Sequence, residues 1–181
     1  MTQHYLLWAS GEDKPGIVAA VTKALYGLRT NLEDSSMMRL GSEFAIFLIL
    51  TSDKKISDID VDGAILSLRK KYGVTAGIKE ISARQAVFSA ASRRAYIVSV
   101  HGQDRPGIVY RVTEALSRRK FNITDLSTHR TTAGRSAGYI LFIEGELPSR
   151  SDLPAVRRDL TRLAASMKTK IGIRQVDAES F

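Results

Sequence analysis

The hexamer Asp13-Lys14-Pro15-Gly16-Ile17-Val18 returns as Asp104-Arg105-Pro106-Gly107-Ile108-Val109, 91 residues later in a chain of 181. Val21-Thr22, Ala24-Leu25, Asn31 and Asp34 return as Val112-Thr113, Ala115-Leu116, Asn122 and Asp125. Twelve of the 24 positions from Gly11 to Asp34 match their partners, so the chain is a tandem repeat of two small domains. The boundaries fall at 1–84 for the first domain, 85–94 for a linker and 95–181 for the second. The best-matched stretch is a polar loop running into a helix start. A fold can hold a small ligand at such a place.

Each half spans about 90 residues, close to the lower end of what one hydrophobic core supports. The apolar fraction of 44% suits a folded chain. Cysteine is absent, which removes disulfides, thiolate metal sites and a cysteine nucleophile. The apolar runs all fall short of a membrane span. The N-terminus lacks the basic start of a signal peptide and reads as the first strand of a cytoplasmic protein. The net charge of +8 is uneven: residues 1–89 carry +1 and residues 90–181 carry +7. A basic second half suits an anionic ligand, an acidic partner or a solvated face.

Hydrophobic periodicity predicts strand, helix, strand, strand, helix, strand in each half. In the first half, Tyr5–Ala9 is a strand, and Pro15 takes the first helical position, where its missing N–H costs nothing. Asp13 caps that helix or serves a ligand. Residues 31–39 and 43–50 form a hairpin around Leu40-Gly41-Ser42. The unbroken run Ala45–Leu50 predicts a central strand shielded in part on both faces. Asp60–Tyr72 is a second helix that stops at Gly73, and residues 74–81 close the sheet. The second half repeats this, with strand 95–100, helix 106–120, a hairpin around Thr132-Ala133-Gly134, a helix from about Asp152 and a last strand at 170–176. The predicted class is α+β: two ferredoxin-like βαββαβ units, each an antiparallel sheet with its helices on one face.

With that element order, Gly11-Glu12-Asp13-Lys14-Pro15-Gly16-Ile17-Val18 and Gly102-Gln103-Asp104-Arg105-Pro106-Gly107-Ile108-Val109 resemble the amino-acid-binding regulatory module called the ACT domain. Two such units on a short linker resemble most the family of glycine cleavage system transcriptional repressors. The resemblance implies a cytoplasmic regulator that answers to glycine or a related signal. It also implies repression of an amino-acid catabolic operon through a separate transcriptional activator protein.

The ligand case is also physical. A helix N-terminus presents unpaired N–H groups, and Gly16 and Gly107 let a ligand approach the backbone. A carboxylate is expected against Gly16-Ile17 or Gly107-Ile108, beside Gly11, Pro15, Gly102 and Pro106. The resemblance implies that Asn31 and Asn122, which open the second strand of each unit, lie near the loop and receive the ammonium group. Asp13 and Asp104 are the alternatives.

His4, His101 and His129 fit no metal motif, and no catalytic constellation is recognisable. No enzyme activity, cofactor or metal is expected. A ligand-free assembly module is one rival reading. Direct DNA binding by the second half is another, through Arg111, Arg118-Arg119-Lys120, Arg157-Arg158 and Arg162 on predicted helices. Without a helix-turn-helix signature, direct nucleic-acid contact is not expected. No membrane contact is expected either, and a homodimer is preferred.

Overall fold

A computed structural model describes residues 2–87, 94–131, 138–148 and 153–176. The chain divides into two compact units, Met1–Ser89 and Ala90–Phe181. The first contains β1 (Gln3–Glu12), α1 (Ile17–Gly27), β2 (Asn31–Leu40), β3 (Glu43–Ser52), α2 (Asp58–Tyr72), β4 (Thr75–Ile81) and α3 (Ala83–Ala86). The second contains β5 (Arg94–Gln103), α4 (Ile108–Ser117), β6 (Asn122–Thr131), β7 (Gly138–Leu147), α5 (Leu153–Met167) and β8 (Lys170–Gln175). Each unit is a four-stranded antiparallel sheet, ordered β2-β3-β1-β4 or β6-β7-β5-β8. This is the βαββαβ arrangement that the repeat and the periodicity predict.

Alternation along the strands fixes which face meets the helices. Tyr5, Leu7 and Ala9 of β1 and Phe44, Ile46, Leu48 and Leu50 of β3 are buried with Ile17, Val21 and Leu25 of α1. Their counterparts are Tyr96, Val98 and Val100 of β5, Leu141 and Ile143 of β7, and Ile108, Val112 and Leu116 of α4. β3 is internal, as its apolar run predicts, but its two faces differ. Phe47, on the face away from the helices, is 50% exposed beside Trp8 at 38%. Trp8 takes the space beside Gly77, where an added Cβ would stand 2.2 Å from the indole ring.

The strands run longer than their apolar cores, because backbone pairing continues past the last buried side chain. β1 pairs with β3 from Gln3 opposite Ser52 to Glu12 opposite Glu43. α2 starts at a Ser57 cap whose hydroxyl accepts from the Asp60 amide, and it ends at Gly73 in the left-handed conformation. Ser82 and Gln85 form a capping box on α3, which lies against β1. Residues 83–86 are therefore helical where the sequence predicts the start of a loop. Val87 is 68% exposed. The predicted Thr132-Ala133-Gly134 turn, Ser89–Ser92 and Asp152 lie outside the described residues.

The starts of α1 and α4 depart from expectation. Each helix begins after the Pro-Gly pair, with Gly16 (φ 92°) and Gly107 (φ 88°) as left-handed N-caps. Pro15 and Pro106 therefore belong to the turn before the helix and do not occupy its first position. The cause is the glycine, which alone takes up a positive φ without strain and turns the chain sharply before the helix can start.

Candidate ligand-binding loops

The two loops are built alike. β1 runs to Glu12, residues 13–16 turn, and α1 leaves from Ile17. The same sequence of events joins β5 to α4. Gly11, Asp13, Pro15, Gly16 and Ile17 thus gather at one end of the first sheet, and Gly102, Asp104, Pro106, Gly107 and Ile108 at the same end of the second. Neither helix start carries a side-chain cap. Asp13 and Asp104 do not cap, contrary to one of the two roles expected of them. In the first loop the Ile17 amide already donates to Lys14 O at 3.2 Å. The other first-turn amides have no side-chain cap, and the partial positive charge of the helix end favours an anion.

The aspartates have a different occupation. Arg39 Nη1 stands 3.6 Å from Asp13 Oδ2. Arg130 donates through Nε and Nη2 to Asp104 Oδ2, the Nε bond measuring 2.7 Å. Both pairs tie the loop to the far end of the strand after the helix. In the first loop the Asp13 amide also donates to Ser42 O at 2.7 Å. Arg39 and Arg130 are related by the same 91-residue offset as the hexamers, and that offset was the signal by which the sequence could have revealed them. Tyr72 was a second omission. Its hydroxyl lies 3.5 Å from where a Cβ on Gly16 would stand.

Charge separates the two loops. Lys14 Nζ pairs with Glu12 at 2.8 Å, so the first loop is internally neutralised. At the equivalent place Arg105 donates to the uncharged Gln103 at 3.2 Å. The second loop keeps a net positive charge and is better suited to a carboxylate.

The structure does not place Asn31 and Asn122 beside the loops of their own units. Asn31 pairs with Thr51, in register with His4, while the loop follows Glu12 at the other end of β1. Nine residues of strand separate His4 from Asp13, roughly 30 Å at about 3.3 Å per residue. Asn122 stands opposite Glu146, in the row of Ala95, and is equally far from Asp104. The cause is strand direction. β1 and β2 both run antiparallel to β3, so β2 opens where β1 opens and not where it ends. Around Asn31 lie His4, whose Nδ1 is buried without a hydrogen bond, and Glu33 at 3.8 Å from it.

Three of the arginines proposed for DNA are engaged within the second unit. Arg111 Nη2 donates to Ser166 Oγ at 3.0 Å. Arg118 pairs with Glu114 at 2.9 Å and Arg119 with Asp159 at 2.7 Å. The Arg119 hydrogen bond holds the Asp159 carboxyl below the usual carboxylate range, and the nearby charges of Arg119, Arg162 and Arg158 add to this. Among the described residues, no group of three or more His, Asp or Glu side chains is placed to hold a metal ion. No helix among them is long and apolar enough to cross a membrane.

Comparison with known proteins agrees with this architecture. Two family models, both described as the ACT domain, match residues 3–79 and 96–165. The glycine cleavage system transcriptional repressor of Escherichia coli (strain K12) is 27% identical over 184 aligned positions, covering 97% of this chain and 92% of that protein. A crystal structure of a protein of unknown function from Galdieria sulphuraria superimposes with a TM-score of 0.77 at 24% identity, over 98% of this chain and all of that one. Another, provisionally named a glycine cleavage system transcriptional repressor, gives a TM-score of 0.70 at 18% identity, covering 98% and 99% of the two chains. The last two likenesses concern the fold alone. With both halves matched and the βαββαβ order present twice, the chain belongs to the ACT-domain family as a tandem of two such domains.

Proposed function

We propose that the chain is a non-enzymatic cytoplasmic regulator. It binds a small amino acid, glycine or one like it, and represses an amino-acid catabolic operon through a protein partner, a transcriptional activator. The end-to-end match to a transcriptional repressor of glycine cleavage carries the reading. The loops supply its chemistry. A carboxylate sits on the open first-turn amides of α4, with Arg105 nearby and Gly107 giving it room. The second loop is the stronger site because its cation is not offset by a glutamate.

Asp104 is already bonded to Arg130, so the ammonium needs another acceptor. Asn122 of the same unit is too distant for one amino acid to reach both. If Asn122 takes part, it comes from a second copy of the chain, and the working form is a homodimer. The test is repression of a glycine-cleavage operon reporter in cells lacking their own repressor. The chain is expected to repress, and Gly107→Val to lose the response to glycine. Failure of the unaltered chain to repress would remove the regulatory reading.

One observation favours a second reading, a ligand-free assembly module. Both loop aspartates are satisfied by arginines of their own units, so the turns hold their shape with no ligand present.

A further inference from the structure

The two units differ where the repeat should make them alike, in the layer of helices. In the second unit α4 and α5 are joined by Arg111–Ser166 and Arg119–Asp159, and α5 buries Ala155, Val156, Leu160 and Met167. In the first unit no hydrogen bond or ion pair between side chains joins α1 to α2 among the described residues. Only Leu68 is fully buried among the fifteen residues of α2. An open cleft of about 950 Å³ runs between the two helices, from Gly16 and Tyr72 at one end to Arg29 and residues 52–56 at the other.

The walls of this cleft suit another backbone. Ala20, Ala24 and Gly27 on α1 and Ala64 and Ser67 on α2 are small enough to admit a close neighbour. The charge is one-sided. Lys23, Arg29, Lys54, Lys55 and Lys71 line the cleft against Asp53 and Asp60. Asp60 already accepts from the Ser57 hydroxyl at 2.6 Å. None of the five cations forms an ion pair among the described residues, and Lys71 lies 5.4 Å from the centre of the Tyr72 ring.

The cations are also spread out. Arg29, Lys54 and Lys55 stand at one end, Lys23 partway along α1 and Lys71 at the other end. A compact anion would meet the first group and leave the rest unused. A helix lying along the eleven residues of α1, over roughly 16 Å, would pass all three groups of cations.

We propose that this cleft docks an acidic amphipathic helix of a partner protein, its apolar stripe on the alanines and its carboxylates on the five cations. The proposal rests on the partner-protein part of the function above and not on the amino-acid part.

The full chain, isotopically labelled, would be titrated with two helical peptides that share an Ala/Leu stripe and differ in carrying Glu or Lys on its flanks. The Glu peptide is expected to give saturable NMR shift changes on α1 and α2, and the Lys peptide none. The exposed pair Lys23→Glu/Lys71→Glu should weaken the Glu peptide about tenfold while leaving the rest of the spectrum unchanged. Shifts elsewhere, no shifts, or equal binding of both peptides would overturn the proposal. So would saturation of the same residues by inorganic polyphosphate with none by the Glu peptide, which would make the cleft a site for a compact polyanion. In the reporter assay, full repression by the double variant would defeat the docking site alone. Loss of repression by the unaltered chain would defeat the regulatory reading.

Discussion

Gly16 and Gly107 carry the same positive φ at the same point of the repeat, and they decide where two helices begin. A side chain there is strained whatever space surrounds it. Gly16→Ala and Gly107→Ala should each cost about 1–2 kcal/mol of unfolding free energy, the penalty of holding an L-residue in the left-handed region. Gly27→Ala is the control. Gly27 ends α1, has no atom within 4 Å of the added Cβ and has no positive φ, so the change should be neutral or stabilising by about 0.5–1 kcal/mol. Denaturant unfolding of the three variants checks this, and equal losses in all three would contradict it. The hexamer made these glycines conspicuous in the sequence. It did not reveal that Asp13 and Asp104 serve arginines, because Arg39 and Arg130 sit 26 residues downstream, at the end of a strand that folds back to the loop.

At the scale of elements, the order of strands and helices along the chain followed from apolar runs and turn residues, while helix starts and site geometry did not. Leu7, Ile46 and Leu48 point to the core by alternation alone, and Gly73 marks a helix end by its own chemistry. Pro15 reads equally well as a first helical residue or as part of a turn, and only the φ of Gly16 distinguishes them. Asn31 follows the loop closely in sequence, yet strand direction carries it to the far end of the sheet.

The helices give two predictions. α2 has one fully buried side chain where α5 has four, so α2 amides should exchange with solvent faster than those of α5. Equal protection would contradict this account of the helix layer. The Arg119–Asp159 pair joins α4 to α5, with the aspartate's pKa lowered in the folded state. Its contribution is present above the ordinary carboxylate value of 3.8 and is lost as the pH falls through the lower folded-state value. Asp159→Asn should therefore lose a little stability near neutral pH and show a shallower fall in acid, measured by thermal unfolding across pH. An unchanged acid profile would show that the pair contributes nothing.

At the scale of the whole molecule, the repeat produces two units of one fold with unequal surfaces. The first is close to electroneutral and has the open helix layer, while the second carries most of the +8 charge and the more basic loop. Arg118, Arg119 and Arg130 pair with carboxylates that the net charge already counts, and Arg111 bonds to the uncharged Ser166. A net positive charge without an element that reads bases is weak support for a specific nucleic-acid surface. It fits better with a chain that receives anionic groups at chosen places: a carboxylate at the second loop, and acidic side chains at the cleft of the first unit.

The central claim is that a free amino acid binds at these loops. Isothermal titration of the full chain with glycine, followed by a panel of other amino acids, tests it most directly. The account predicts saturable heat that is abolished by Gly107→Val, weakened by Asn122→Ala, and little changed by Gly16→Val. No heat and no thermal shift with any amino acid would contradict it and leave the chain as a protein-interaction module alone.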